Sequence, residues 1–518
     1  MKAADEVASI KLQDVSTAVH EETLPDRQPD RTLWQSVIAF RSLIPFLLGI
    51  YVLVIAVGID SGIAGLTLGI ESFRRQFGYY LNDESGWVIE AKYQSAWSGA
   101  STGSQTIGAM ISGYMADRIG RIWPLRIASI IILVGAILLV TARQIAVLIA
   151  GKVILGLGIG FVVSQTAPFL SELAPAKIRG MCVASINVCL VLGQWLSTIV
   201  IWACTSAYSD VNDNTPWLVV FGIQLVFPTI FLIWSLWIPE SPVHLVQSGK
   251  VELARASARK LYGPAYDSDA HVNGIVREAE EESSGEGKSI SFWEAGKGVN
   301  LRRTLIGTMV VVGQILSGNL FVLSYQNYFY ELAGISGSQA LTFGNYSVAL
   351  VANLCSYLVI DTIGRRPLYT TGSFMLGVAN FLVGFMSLVQ NSNRKAAGSV
   401  AVFGMYLWSF TYQFTVGPAA WAIVGEVPSN RMRAKTNSWV NMINSLASFA
   451  INYAIPYLFN PDAANLGLKM GYIFGALSGV LCFLSFLYLP ETKGYTVQEL
   501  DYLFNLNIPA RKFTKTIS

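Results

Sequence analysis

The segment Asp117-Arg118-Ile119-Gly120-Arg121 decides the fold, because it returns later in the chain as Asp361-Thr362-Ile363-Gly364-Arg365-Arg366. Two further blocks return in the same order: SELAPAKIR at 171–179 as GEVP at 425–428, and PES at 239–241 as PET at 490–492. Three blocks repeated in one order indicate that the chain consists of two related halves, as in many membrane transporters.

The composition around these blocks is that of a membrane protein. Of the 518 residues, 53% are hydrophobic and 13% are charged, against roughly a quarter charged in an average soluble domain. This excludes a disordered, collagen-like or ordinary soluble protein, and a net charge of +3 gives no reason to expect nucleic-acid binding. The five cysteines lie in apolar runs without metal-ligand spacing, so we expect no disulfide framework, metal or cofactor.

An apolar helix of about 20 residues crosses the hydrocarbon of a bilayer, and twelve such runs divide the chain into six spans plus six. They lie at 43–69, 94–115, 124–142, 145–170, 180–204, 216–238, 303–332, 341–360, 368–389, 398–424, 435–459 and 468–489. The predicted domains are a polar tail (1–42), a first six-helix bundle (43–238), a central loop (239–302), a second bundle (303–489) and a second tail (490–518). The amphipathic stretch 245–261 predicts surface helices in the central loop.

The distribution of basic residues predicts the orientation. Most of the 36 Lys and Arg residues fall in the tails, the central loop and the short loops on the same side. By the positive-inside rule, both termini and the central loop are therefore cytoplasmic. The first 42 residues have no short apolar core, so they are a tail and not a signal peptide.

Together these motifs resemble the sugar-porter branch of the major facilitator superfamily from about residue 43 to 500. The repeated blocks are similar to its inner-loop, fourth-helix and half-ending motifs, and GPAAWAIVGEVPSNRMR at 417–433 is similar to its tenth-helix motif. Residues 187–194 and the segments YFYELAGIS and FGNYSVAL resemble most the fungal α-glucoside (maltose) permease-like subgroup. The resemblance implies an all-α, monomeric protein of the lipid bilayer, in the plasma membrane, which transports a sugar by alternating access and is not an enzyme.

The motifs also place arginines at helix ends opposite glutamates. We expect these charges to pair across the two halves, where such pairs would hold an inner gate shut and break when it opens. Simple anchoring by positive charge is the alternative for the arginines. The predicted inner gate comprises Asp117, Arg118, Arg121, Glu172, Arg179, Glu240, Asp361, Arg365, Arg366, Glu426, Arg431, Arg433 and Glu491.

Two ionisable residues lie deep in the predicted spans, where charges are costly and therefore point to function. Asp60 in the first span and Lys152 in the fourth lie at similar depths below the outer surface, so we expect them to pair. The family has Arg at the Lys152 position. None of the three histidines falls in a span, which leaves Asp60 as the candidate proton carrier, with Lys152 modulating it. A permanent structural ion pair is the alternative.

A sugar needs amides for hydrogen bonds and aromatic rings for stacking. Asn187 and Gln194 are seven residues apart and share a helix face. The resemblance assigns substrate contacts to Asn187, Gln194, Gln314, Asn319, Tyr325, Trp421 and Asn444, with Pro418 breaking the tenth helix beside Trp421. Asn345 joins them as a hypothesis, because it and Asn353 flank Ala349, where the family has a sugar-binding Asn. Interhelical hydrogen bonding is the alternative for each amide.

These observations predict a sugar transporter, with proton symport as the mode and a hexose or an α-glucoside such as maltose as the substrate. The subgroup has charged residues where this chain has Val57, Gln105 and Asn441, which leaves its coupling scheme and its specificity open. The alternatives are a facilitated-diffusion uniporter, a transporter-like sugar sensor, and an exporter of a glycosylated or polyhydroxylated metabolite.

Overall fold

The computed structural model describes residues 40–82, 86–208, 210, 213–263, 266–284, 292–332, 335, 337–389, 392–429, 432–495, 497–506 and 508–513. Nearly all of the predicted N-terminal tail lies outside these ranges. The described chain is almost entirely helical, as its long apolar runs predict.

Helices occupy all six spans predicted in the first half. They are α1 (Ile44–Leu68), α3 (Ala91–Ile119), α4 (Ile122–Thr141), α5 (Ile145–Leu173), α6 (Ala176–Ala207) and α7 (Thr215–Ser235). Between α1 and α3 lie a short helix, α2 (Glu71–Phe77), and an antiparallel hairpin of β1 (Tyr79–Asn82) and β2 (Gly86–Val88), which the sequence did not predict.

Three surface helices follow in the central loop, in agreement with the amphipathic pattern there. They are α8 (Pro242–Gln247), α9 (Val251–Tyr262) and α10 (Ser268–Ser284). The hydroxyl of Tyr262 on α9 donates to the Leu173 carbonyl at the end of α5 (3.1 Å), which fastens these helices to the first half. Burial raises the pKa of the Tyr262 phenol, so it remains a neutral donor.

The second half repeats the arrangement, with two of its spans interrupted. Its helices are α11 (Gly298–Leu316), α12 (Tyr325–Leu332), α13 (Ser338–Ile363), α14 (Arg365–Val389), α15 (Arg394–Thr411), α16 (Gly417–Glu426), α17 (Arg433–Phe459) and α18 (Met470–Tyr488), followed by α19 (Val497–Asn505). Short π-helical segments, Leu320–Ser324 and Tyr412–Val416, separate α11 from α12 and α15 from α16.

Eight described helices are long and apolar enough to cross a membrane, or nine if the bent pair around α11 and α12 is one span. The remaining segments, such as α3 and α17, are long enough but more polar. A complete layout of twelve spans therefore stays a prediction.

Glycines let the helices of each half approach closely. A Cβ at Gly160 on α5 would lie 2.0 Å from the Gln105 carbonyl on α3, and a Cβ at Gly58 on α1 would lie 2.2 Å from the Leu190 carbonyl on α6. Small residues at such crossings permit the backbone contact that packs helices in lipid, where the hydrophobic effect contributes little. These crossings fix the positions of α1, α3, α5 and α6 around the candidate site.

The molecule has two ends, which we name by their contents. The loop face carries α8–α10 and the repeated charged motifs. The far face carries the hairpin, α12 and the end of α17.

Candidate transport site

The predicted pair of buried charges forms, and a third residue joins it. The Lys152 ammonium on α5 donates to Oδ1 of Asp60 on α1, and the Gln224 amide on α7 donates to the same oxygen at 3.0 Å. The three residues are 3%, 7% and 2% exposed, respectively. Among the residues that the structure describes, the buried amide oxygen of Gln224 has no partner. A carboxylate so buried is tolerable because the ammonium neutralises it and two donors satisfy it.

Gln224 was missed in the sequence, although the argument that found Asp60 and Lys152 applies to it. Asp60 lies eight residues before the end of α1, Lys152 seven after the start of α5, and Gln224 nine after the start of α7. At 1.5 Å per residue, all three lie about 10–14 Å inside the far face. The sequence feature that could have identified Gln224 is an amide at the same depth in its span as the two charges.

The predicted sugar contacts divide into two groups. The first has side chains at least partly exposed: the Gln194 amide donates to Ser61 Oγ on α1 at 3.0 Å, and Trp421 is 48% exposed. Trp421 and Gly425 lie on the open face of α16, whose other faces pack on α11, α13 and α14. Asn187 on α6 and Asn444 on α17 are half-buried.

In the second group, the side chains form hydrogen bonds between helices. The Gln314 amide on α11 donates to the carbonyls of Gly417 (3.0 Å) and Val416 (3.3 Å), beside the interruption of the tenth span. The predicted break is thus present, but it is the π segment ahead of Pro418, and α16 restarts at Gly417. Gln314 acts here as an interhelical link.

Asn345 and Asn353 on α13 are fully buried in amide pairs. Asn345 donates to Gln326 Oε1 on α12, and Asn353 donates to Gln413 Oε1 at 3.1 Å. The amide oxygen of each asparagine is buried and has no partner among the described residues. Substrate contact by Asn345 stays a hypothesis. Gln326, the buried amide that pairs with it, was not predicted from the sequence.

Tyr325 lies where the two halves meet. Its hydroxyl is 2.9 Å from Ser98 Oγ on α3, and the ring is 1% exposed. Nearby, Gly65 on α1 faces the Ser324 carbonyl so closely that a Cβ at position 65 would lie 1.3 Å from that oxygen. Together these contacts close the far face between α1, α3 and α12.

Asn460, at the end of α17, completes this closure. It is fully buried, and its oxygen accepts from Gln94 (3.0 Å) and Tyr328 (2.7 Å), while its amide donates to the Ile89 carbonyl (2.7 Å). Beside it, Asp462 accepts the N–H of Ala91 at the start of α3 (2.9 Å). Neutral hydrogen bonds at one amide thus tie residues of both halves together.

On the loop face, the charged motifs form ion pairs within each half. Arg121 contacts Glu172 at 3.0 Å and Asp117 at 3.2 Å, all in the first half. Arg365 contacts Glu426 at 2.8 Å, in the second half. Among the described residues, the ion pairs that each motif forms thus lie within its own half while the far face is closed, and pairing across the halves when the loop face closes stays a prediction.

The second motif glutamate of each half caps a helix. Glu240 accepts the backbone N–H groups of Arg121 (2.8 Å) and Ile122 (3.3 Å) at the start of α4. Glu491 accepts those of Arg365 (3.0 Å) and Arg366 (3.2 Å) at the start of α14. A carboxylate there satisfies amides that the helix leaves unpaired and complements the helix dipole.

The glycine of each motif makes room for this cap. Gly120 has φ +98°, and a Cβ on it would lie 2.1 Å from Glu240 Oε2. Gly364 has φ +105°, and a Cβ on it would lie 2.7 Å from Glu491 Oε2. The position requires both a left-handed backbone and an absent side chain.

We expect Gly120→Ala to lower the thermal stability of the detergent-purified protein more than Gly249→Ala does. Gly249 has φ +73°, and no described residue beyond its chain neighbours lies within 4 Å of an added Cβ, so its substitution costs only backbone strain, about 1–2 kcal/mol. At Gly120 the displaced carboxylate cap adds about 1 kcal/mol. Equal losses of melting temperature for the two variants would show that the cap contributes nothing.

The other predicted gate residues take several roles. Arg118 lies over the Tyr114 ring (4.4 Å), Arg366 donates to the Phe486 carbonyl (3.0 Å), and Arg179 donates to the Ala174 carbonyl (3.5 Å). Arg433 begins α17. Arg431 and the side chain of Asp361 lie outside the described residues.

Among solved structures, the fold is similar to the xylose transporter XylE of E. coli. The partially occluded inward-open form matches with a TM-score of 0.70 at 21% identity, covering 88% of this chain and all of that one. The proton:xylose symporter XylE bound to 6-bromo-6-deoxy-D-glucose matches with a TM-score of 0.69 at 22% identity, covering 90% and 99% of the two chains.

Curated relatives match over nearly the whole chain. The MFS transporter fmqE of Aspergillus fumigatus is 28% identical over 97% of this chain and 96% of its own. The general alpha-glucoside permease of Saccharomyces cerevisiae is 26% identical over 100% of this chain and 82% of its own. The family model for sugar (and other) transporters matches residues 47–504. The chain therefore belongs to the sugar porter family of the major facilitator superfamily, whose members are multi-pass membrane transporters and not enzymes.

Proposed function

We propose that the protein carries a sugar, either a hexose or an α-glucoside such as maltose, by alternating access in symport with a proton. The observation that carries the proposal is the buried carboxylate of Asp60, held by Lys152 and Gln224. It is an acid inside a helical bundle, where ionisable groups serve transport or proton transfer.

Protonation of Asp60 affects the closure of the far face through α1. The neutral acid no longer balances Lys152, which weakens the link between α1 and α5. Gly65 lies five residues further along α1, where that helix contacts Ser324. A proton on Asp60 thus changes the stability of the conformation in which α1 closes the far face. A bound ion that interacts differently with two conformations shifts the equilibrium between them in this way.

The sugar would bind between the halves, against the exposed side chains described above. Gln194 and Asn187 offer amides from α6, Asn444 offers one from α17, and the open face of Trp421 offers a stacking surface. The general alpha-glucoside permease and XylE bound to a glucose derivative support a sugar as the substrate class.

The surroundings of the transporter follow from the same proposal. The loop face and both tails face the cytoplasm, as the basic residues there favour, and the protein lies in the plasma membrane as a monomer. Residues 43–238 and 303–489 form the two bundles, with twelve spans in all.

Uptake of radiolabelled D-glucose and of maltose by proteoliposomes, with and without an inward proton gradient, tests the proposal. We expect the gradient to drive one of the two sugars above its external concentration. Uptake that only equilibrates the sugar would support a uniporter and refute the proposed symport. If neither sugar is taken up but a different solute shows counterflow, the result would support the exporter and refute the proposed sugar substrate.

A further inference from the structure

The break between α11 and α12 is held by side chains of α14, of α15 and of the π segment that follows α15. Gly318 has φ +95°, so the helix stops there and leaves the Ser317 carbonyl without a helical partner. The Trp408 indole N–H on α15 donates to that carbonyl at 3.0 Å, and the Asn380 amide on α14 donates to it at 2.9 Å. Ser317, Trp408 and Asn380 are all at most 2% exposed.

Asn319, the residue after the glycine, is held by Tyr412, the first residue of the π segment after α15. The Asn319 amide N–H donates to the Tyr412 hydroxyl at 3.2 Å. The rings of Tyr412 and Trp408 stack with centroids 4.9 Å apart and planes 10° from parallel. The two stacked rings therefore bind the residues on either side of Gly318.

This arrangement fixes which end of the Asn319 amide is available. One N–H of its nitrogen donates to Tyr412, while its oxygen is buried and has no hydrogen-bond partner in the part of the chain that the structure describes. An amide nitrogen has two N–H donors, and the amide oxygen is an acceptor. The bond to Tyr412 fixes the orientation of the amide, and the oxygen is then the unpartnered acceptor, which suits a hydroxyl that donates.

We propose that Tyr412, supported by Trp408, is a positioning residue for the transport reaction: it orients Asn319 so that its amide oxygen accepts a hydrogen bond from a sugar hydroxyl. This inference rests on the proposed sugar substrate. Tyr412 acts through Asn319 and does not itself touch the sugar, so its effect requires Asn319.

A double-mutant cycle on Tyr412→Phe and Asn319→Ala tests the inference, with D-glucose or maltose, whichever the wild-type protein takes up. Tyr412→Phe retains the stacked ring and removes only the hydroxyl. We expect it to raise KM about three- to tenfold, the range for one lost neutral hydrogen bond, with little change in maximal rate. In the Asn319→Ala background, it should change KM by less than about twofold.

Tyr406→Phe is the matched control, because Tyr406 lies on α15 just before the π segment that carries Tyr412, and its hydroxyl donates to the Leu341 carbonyl of α13 at 2.7 Å. We expect an unchanged KM for it. Equal effects of Tyr412→Phe in the presence and absence of Asn319 would overturn the inference by showing a structural role.

The direction of the hydrogen bond is a second readout. A fluorine in place of the sugar hydroxyl accepts but does not donate. Among the monodeoxyfluoro analogues, one should therefore compete several-fold less well for wild-type uptake, and this deficit should disappear in Asn319→Ala and shrink in Tyr412→Phe. Identical analogue profiles in all three proteins would overturn the inference while leaving sugar transport intact. Failure of the wild-type protein to take up either sugar would instead refute the proposed function, and this inference with it.

Discussion

Asp60→Asn is expected to abolish the proton-driven accumulation of sugar while counterflow of sugar across the membrane continues. Asparagine has nearly the shape of aspartate but does not exchange a proton, so the gradient no longer acts on α1. Accumulation in proteoliposomes with an inward proton gradient should fall to the equilibrium level. The measurement is the ratio of internal to external radiolabelled sugar at steady state.

The substitution also leaves Lys152 as a buried cation without its carboxylate, which costs about 3–5 kcal/mol. A second variant, Asp60→Asn with Lys152→Gln, removes that cation, and we expect it to regain stability without regaining coupling. Lys152→Arg is the control, since it retains the charge and we expect proton-driven uptake to survive. Accumulation by Asp60→Asn under a proton gradient would contradict the assignment of Asp60 as the proton carrier.

Gly65→Val is expected to stop transport in both modes, because the far face no longer closes. A Cβ at position 65 would occupy nearly the same point as the Ser324 carbonyl oxygen, 1.3 Å away. Backbone cannot retreat from such an overlap as a flexible side chain can. Counterflow of sugar should fall to background, since it requires the carrier to alternate as much as net uptake does.

Labelling of a cysteine at position 98 reports the same event. Ser98 lies against Tyr325 in the closed face. We expect Ser98→Cys to react slowly with a membrane-impermeant maleimide from the far face, and rapidly when Gly65→Val is added. Gly113→Val on α3 is the matched control, because no side chain or neighbouring helix in the described part of the chain lies within 4 Å of a Cβ there. Normal counterflow in Gly65→Val would show that this contact does not close the transporter.

The helices and the buried charge pair could be predicted from the sequence because both depend on distance along one axis. The length of an apolar run sets a helix, and depth in the run places Asp60 beside Lys152. The same rule would have found Gln224, had amides been included with charges. Depth along a helix does not predict how the helix is rotated about its axis. This rotation places Tyr325 in the closed far face and directs Gln314 toward α16.

The pairing of Arg121 and Arg365 within their own halves could not be predicted for a similar reason. Each arginine has a glutamate in its own half and an equivalent one in the other half, and spacing along the chain does not choose between them. The choice depends on how α3, α5 and α7 converge on the loop face. The π segments were likewise unpredicted, because they alter the hydrogen bonding of a helix without changing its composition.

The enclosure of charge within each half has a mechanical consequence. Any motion of one half against the other carries the pairs Arg121–Glu172 and Arg365–Glu426 along unbroken. What must be released at the far face includes the bonds from Asn460 to the first half and the Ser98–Tyr325 bond, each about 0.5–1.5 kcal/mol, and the bond from the Ala91 N–H to the Asp462 carboxylate. The free-energy cost of opening is thus divided among several weak bonds, and the rate of opening depends less on the ionic strength of the surrounding solution than it would if the Arg–Glu pairs had to break.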